Sequence, residues 1–310
     1  MMNKRLAIRL IAVVSAVVLL ISAVITLAGG RVSWIPTWEE LFILSGFRET
    51  DVSSEELRVT VLPLGDADCL IIQNGEHAAL IDAGNANNQR AIISALRLRG
   101  IRRLDLVLAT HFDSDHIGSM DAVVREFEIG TFLAPHVDVS CRPTHPAYNN
   151  LQEALNKKNL AMTDARIYSE YAIGDAVLTM LTESKVGIEA EGNALSLVCR
   201  LTFGKRSLLL MSDADKDIEE ALLLNQTPLR SDVLKVGHHG SSDASTLSFL
   251  EAVAPSYAVI TCRQLSTSHP HRKTLDALHT VGSAIFRTDL HGEITIVTNG
   301  ETLTVTGKTS

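Results

Sequence analysis

Apolar positions fall along this chain in short runs broken by polar turns, with one long exception at the start. From Leu10 to Ala28 no charged residue interrupts the apolar run, which approaches the ~20 residues that cross a bilayer. From Leu57 onward the runs have strand length and are punctuated by Gly, Asn and Asp. They predict strands over 58–64, 69–73, 78–81, 104–109, 130–134, 176–181, 195–203, 206–211, 232–236, 257–261, 284–286, 293–298 and 302–305. Helical spacing predicts helices over 88–99, after Ile117, over 151–160, from Asp213 behind a Ser212 cap, over 246–253, and from His269-Pro270-His271 to about His279. Residues 135–150 read as a loop. Strands and helices interleave throughout, which predicts one α/β domain over 57–310, a membrane segment over 1–30 and a juxtamembrane connector over 31–56.

Charge refines the first segment. The formal net charge is −8, and Lys4, Arg5 and Arg9 give residues 1–30 a charge of +3, which leaves −11 for the rest. Basic residues ahead of a span stay cytoplasmic and send the body outside. The expectation is an uncleaved signal anchor with an extracytoplasmic body; cleavage near Ala28-Gly29-Gly30, giving a secreted protein, is the alternative. Trp34 and Trp38 follow the run as an interfacial belt would. The acidic body excludes general adhesion to nucleic acid through a basic surface, although not an enzyme that cuts phosphodiesters. Cys69, Cys199 and Cys262 lie in apolar runs and read as small buried hydrophobes, and with Cys141 they form no disulfide framework.

The chemistry concentrates in Thr110-His111-Phe112-Asp113-Ser114-Asp115-His116-Ile117-Gly118. Two imidazoles and two carboxylates stand where a buried strand gives way to a helix. Like charges this close are costly without a cation, and this is a donor set for a divalent metal. A solvated acidic turn is the bland alternative. Ser212-Asp213 and Gly237-His238-His239-Gly240-Ser241 also follow buried strands, where ligands gather in α/β folds. Asp213 reads as a bridging carboxylate, with a helix-cap role for Asp213 or Asp215 as the alternative. The paired histidines suggest one ligand and one substrate contact. Asp82, at the end of another strand, reads as an orienting residue near the site and not as a ligand. His269 and His271 are the weakest signal, with solvated loop histidines the alternative.

Together with Leu64-Gly65-Asp66-Ala67-Asp68-Cys69, Leu80-Ile81-Asp82-Ala83-Gly84, Ser268-His269-Pro270-His271 and Arg287-Thr288-Asp289, these stretches resemble the metallo-β-lactamase superfamily, and its ComEC-type branch in particular. The resemblance implies an αββα four-layer sandwich, preceded here by one transmembrane helix. It implies up to two divalent ions, Mn or Zn. One ion would take His111, Asp113 and Asp213, and the other Asp115, His116, Asp213 and His239. His238 would contact phosphate, with help from His271, while Asp68 and Asp82 would support the loops. The family's usual H-x-H-x-D-H has Asp113 in place of its second His, and its middle histidine ligand has no counterpart except Asn193 in about the right region. The greater share of oxygen donors favours Mn²⁺.

The function implied is an extracytoplasmic metal-dependent hydrolase, a phosphodiesterase or nuclease that uses a metal-activated hydroxide, with Asp115 orienting it or accepting its proton. Single-stranded DNA is the first candidate substrate, and an envelope phosphodiester of choline or teichoic type is the second. A non-catalytic metal-binding or scaffold module is the competing class. Residues 10–28 are the only long apolar run, so the many-spanning uptake channel itself is not expected.

Overall fold

The computed structural model describes residues 4–28, 35–45, 52–183 and 192–308. Two compact units separate: one holds the N-terminal segment together with Ser94–Gly100, the other the remainder from residue 51 onward. In the first unit, helix α1 (Lys4–Ala28) carries the long apolar run. Its side chains at Val13, Leu19, Leu20 and Leu27 are exposed, and the stretch Ile11–Ala28 is long and apolar enough to cross a membrane. A short helix, α2 (Trp38–Leu44), follows, with Trp38 Nε1 donating to Thr26 Oγ1 at 3.1 Å. Trp34, Gly29, Gly30 and part of the expected connector lie outside the described residues.

The second unit is built on two sheets. Strands β1 (Leu57–Val61), β2 (Leu70–Asn74), β3 (His77–Ile81), β4 (Arg103–Leu108), β5 (Glu128–Ala134) and β6 (Met162–Asp164) enter the first. Strands β7 (Glu170–Ile173), β8 (Ala176–Met180), β9 (Cys199–Phe203), β10 (Arg206–Leu210), β11 (Val233–Lys235), β12 (Tyr257–Ile260) and β13 (Ala284–Arg287) form the second, and β14 (Glu293–Thr298) and β15 (Leu303–Lys308) return to the first. The orders are β15-β14-β1-β2-β3-β4-β5-β6 and β13-β12-β11-β10-β9-β8-β7. Strands β3 to β6 run parallel to one another, and so do β10 to β13. Each sheet therefore presents a row of parallel carboxyl ends.

Strand alternation explains the layers. Leu208 and Leu210 join Val59, Ile72, Ile81, Leu106 and Leu108 in the core between the sheets. Their neighbours Leu209 and Met211 join Phe249, Leu250 and Leu278 in a second core under helices on the outer face. The helices of that face are α7 (Lys216–Leu224), α8 (Leu247–Val253) and α9 (Arg272–Thr280); helices α4 (Ser114–Ile117), α5 (Met120–Glu126) and α6 (Pro146–Lys158) belong to the first half, and α3 (Gln89–Leu98) is divided between the two units at Ser94. A single turn, α10 (Thr288–His291), precedes β14. The architecture is the expected αββα sandwich.

Boundaries differ where local chemistry intervenes. The strand predicted to Leu64 stops at Val61, because Pro63 cannot continue a ladder. The predicted run 195–203 splits into a 3₁₀ turn, Gly192–Leu195, and β9. Helix α6 begins at Pro146 rather than Leu151, using proline at its first position. Strands β6 and β7 are short and partly exposed, so no apolar run announced them. Ser212 is not a cap: Asp215 takes that role, accepting from the amides of Asp217 and Ile218.

Candidate metal centre

The carboxyl ends of the parallel strands converge on one place. Asp82 follows β3, Thr110 to His116 follow β4, Asp213 follows β10, His238 and His239 follow β11, and Thr261 follows β12. Asp82, Ser212, His238 and His239 all take left-handed backbone conformations, with φ between 47° and 58°. Each costs about 1–2 kcal/mol for a non-glycine residue, and such outliers cluster where side chains must be aimed. Gly118 lets the loop after β3 close on helix α4: a Cβ there would collide with the amide nitrogen of Ala86.

Oxygen and nitrogen atoms of Asp115, His116, Asp213 and His239 lie within 4.8 Å of one another. Asp213 Oδ1 is 3.3 Å from His116 Nε2 and 3.5 Å from His239 Nε2. Asp115 Oδ2 is 3.7 Å from His239 Nε2 and 4.0 Å from His116 Nε2. His111 lies beside them, its ring centroid 4.0 Å from that of His116. The Nε2 atoms of His111, His116 and His239 and the Oδ1 atom of Asp213 are all buried without an aligned hydrogen bond. Buried polar atoms are almost always paired, so the orphans of His116, Asp213 and His239, gathered at one centre, fit a cation.

A second layer fixes the rings. Asp82 Oδ2 accepts from His116 Nδ1 at 2.8 Å and from Thr110 Oγ1 at 2.7 Å, and Asp82 Oδ1 accepts the Thr110 amide at 2.8 Å. Ser212 Oγ donates to Thr110 Oγ1 at 2.6 Å, and both hydroxyls lie close to His111 Nδ1, at 3.3 and 3.2 Å. On the other wall, Thr261 Oγ1 donates to Asp68 Oδ1 at 2.6 Å and lies 2.9 Å from His239 Nδ1. Lys235 Nζ pairs with Asp68 Oδ2 at 2.8 Å, both groups fully buried. With the hydroxyl protons of Thr110 and Thr261 committed to carboxylates, the imidazoles are left to donate from Nδ1 and to present bare Nε2 atoms to the centre, the usual outer layer of a metal site.

Burial and neighbouring charge act differently on the three rings. Burial lowers the pKa of His111 to about 3, with His116 adding to the effect, so its ring is neutral. Burial opposes charge on His116, but Asp213 and Asp82 outweigh it and raise its pKa well above the usual value. Burial likewise opposes charge on His239, yet Asp115 and Asp68 raise its pKa. Against its own burial, Asp213 is held well below the carboxylate range, chiefly by His116. Asp82 is raised by burial. Burial and then Asp115 raise the pKa of Asp113, whose side chain is 44% exposed and 3.8 Å from His111 Nε2.

The remaining expected residues scatter more widely. His238 is partly exposed, with Nδ1 3.3 Å from Asp243 Oδ1 and Nε2 4.0 Å from Asp213 Oδ2. Asn193 Nδ2 lies 3.3 Å from His238 Nε2. His271 differs from expectation: its Nδ1 accepts the Lys273 amide as the cap of α9. The neighbouring ring is His269, with centroids 5.7 Å from His238 and 6.3 Å from His239. Gly240 brings that segment in, since a Cβ there would meet Pro270 Cβ at 2.8 Å. Thr261 and Lys235 carry no role in the sequence analysis, while Ser212, expected as a cap, and His269, expected only weakly, stand beside the donors. A lysine within the apolar run 232–236 was the visible sign of the first pair.

The family model of the metallo-β-lactamase superfamily matches residues 62–263. The chain is 26% identical over 262 residues to ComE operon protein 3 of Bacillus subtilis, covering 78% of this chain and 33% of that protein. It is 28% identical over 284 residues to Competence protein ComA of Neisseria gonorrhoeae, covering 89% and 38%. Recombination protein 2 of Haemophilus influenzae is 26% identical over 233 residues, covering 73% and 27%. The chain thus spans roughly a third of the length of these relatives. Among solved structures, the metallo-β-lactamase fold protein YhfI of Bacillus subtilis superposes with a TM-score of 0.52 at 12% identity, over 78% of this chain and all of that one. CmlA, a diiron β-hydroxylase from Streptomyces venezuelae, gives 0.51 at 14%, over 77% and 53%. These two share the fold.

Proposed function

The chain belongs to the metallo-β-lactamase superfamily, where its curated relatives are ComEC-type competence proteins, and from the donors gathered at its sheet edges we infer that it is a divalent-metal-dependent phosphodiesterase acting on nucleic acid outside the cytoplasmic membrane. The observation that carries this reading is the gathering of donor atoms of Asp115, His116, Asp213 and His239 within 4.8 Å of one another, those of His116, Asp213 and His239 buried without an aligned hydrogen bond. Asp115, His116, Asp213 and His239 would hold one cation. His111 and Asp113, with Asp213, would hold a second. The mixture of carboxylates and imidazoles suits manganese or zinc.

A cation held there would supply Lewis acidity and make water a stronger acid and a readier nucleophile. The chain's own groups do the rest. Asp115, 30% exposed at its side chain, orients the attacking water and takes its proton. His238, backed by Asp243, donates to the charge that develops on the phosphoryl oxygens. His269 stands on the same side and is better supported in the assisting role than His271. The kinship with competence proteins supports DNA as substrate. Helix α1 and the basic residues ahead of its apolar run support membrane attachment with the body outside.

The test uses the full chain in detergent, stripped with chelator and reloaded with Mn²⁺, Zn²⁺ or Mg²⁺. Turnover of bis-p-nitrophenyl phosphate and of labelled single-stranded DNA should appear with metal and vanish in Asp213→Asn. A protein that takes up metal and cleaves neither is a scaffold, and this reading then fails.

A further inference from the structure

Beside the metal centre lies a cleft of about 590 Å³ that the mechanism above does not use. Asp113 forms part of its wall, so it opens directly onto the donors. The segment between β5 and α6 supplies Arg142 and His145, and Phe112, Pro143 and Leu195 supply apolar surface. Arg142 is exposed and makes no hydrogen bond or ion pair among the described residues. His145 precedes helix α6, yet its ring makes no capping bond. In a chain with a net charge of −8, an unpaired guanidinium and an uncommitted imidazole beside a candidate phosphodiesterase centre call for an anionic ligand.

We propose that this cleft seats the nucleotide unit next to the scissile phosphodiester, with Arg142 gripping the adjoining phosphate. The proposal rests on the phosphodiesterase reading. Its volume lies within the ~300–1,000 Å³ of small-molecule pockets and admits a nucleoside. The guanidinium fork suits phosphate oxygens, which it binds with two parallel hydrogen bonds. His145 lines the same cleft as Asp113 and offers a ring nitrogen to a phosphate there. The apolar walls match the faces of a base. A glycerol phosphate polymer has no flat apolar face to place there, so nucleic acid fits better than an envelope polyol ester.

Cys141 provides a reporter. It lines the cleft and is only partly buried, whereas Cys69, Cys199 and Cys262 are buried. Full-length protein in detergent with chelator, so that nothing turns over, is alkylated with iodoacetamide and followed by mass spectrometry. A thymidine dinucleotide carrying a 5′-phosphate should slow modification of Cys141 about fivefold or more by occupying the cleft. A glycerol phosphate oligomer should not, and Arg142→Ala should abolish the protection. With Mn²⁺ present, Arg142→Ala should raise KM for a labelled oligothymidylate roughly tenfold, while KM for bis-p-nitrophenyl phosphate moves far less; Arg142→Lys should recover part of the loss. Unchanged alkylation under saturating dinucleotide, equal protection by the polyol, or equal effects on both substrates would overturn the assignment. If neither substrate turns over but protection depends on Arg142, catalysis fails and the cleft stands. If both turn over and Arg142→Ala changes nothing, the cleft fails and catalysis stands.

Discussion

The two walls of the centre are built differently. On one, His116 and His239 are buried, each held through Nδ1 by a partner of its own, Asp82 or Thr261, with Asp213 between them. On the other, Asp113 is half in solvent beside the cleft, and among the described residues its side chain has no ion-pair partner closer than His111 at 3.8 Å. The first wall is preorganised, and the second is left open to adapt. Affinity for the first cation should therefore come from the inner wall, while the outer wall should bear on the second cation and on substrate.

The sharpest way to break this contrast is Asp213→Asn. Loss of the central carboxylate should lower turnover about 10³-fold and remove bound metal on elemental analysis. Next comes Asp82→Asn, which leaves the ligands in place and disturbs His116 and Thr110. Metal affinity should fall ~10–100-fold by calorimetric titration, and Thr261→Val should lie at the low end of that range. Asp113→Asn should cost the first cation less than either, about threefold or less. An Asp113→Asn defect equal to that of Asp213→Asn would erase the distinction between the walls.

The pH dependence sharpens it further. His116 and His239 have raised pKa values in the metal-free protein and must shed their protons to ligate. Affinity should therefore climb as pH rises from 6 to 8, with proton release visible in buffers of different ionisation enthalpy. Metal-free stability should follow the opposite trend over part of that range. The raised pKa of His116 contributes stability that is full below about pH 6.5 and lost as pH rises through its folded value. The lowered pKa of Asp213 contributes stability present above about pH 3.8 and lost as pH falls through its folded value. Denaturant midpoints of the stripped protein should thus peak on the acidic side of neutrality, and added Mn²⁺ should move the peak upward.

Much of this arrangement is legible in sequence because it depends on local rules. The strand before Thr110, the crowding of His111 to His116, and the apolar runs before Asp213 and His238 place donors at strand ends without any knowledge of tertiary contacts. What escaped depends on such contacts. The choice between His269 and His271 is set by Pro270 packing against Gly240. Ser212 reads as a helix cap by type, but its left-handed backbone turns its hydroxyl to Thr110. Thr261 looks like the last residue of a buried strand, and only the approach of Asp68 from the other sheet gives it a role. Arg142 and His145 sit in a loop without periodicity, so nothing in the string marks the cleft they line.

The bond between Thr261 and Asp68 joins positions 193 apart. During synthesis Asp68, Asp82 and the His111–His116 segment leave the ribosome long before β11 and β12 exist. Contacts of such long range close late, so the emerging polypeptide carries half a chelate for most of its translation. Capture of a cation at the proposed centre would then signal that both sheets have docked, and ion uptake would report on completed folding.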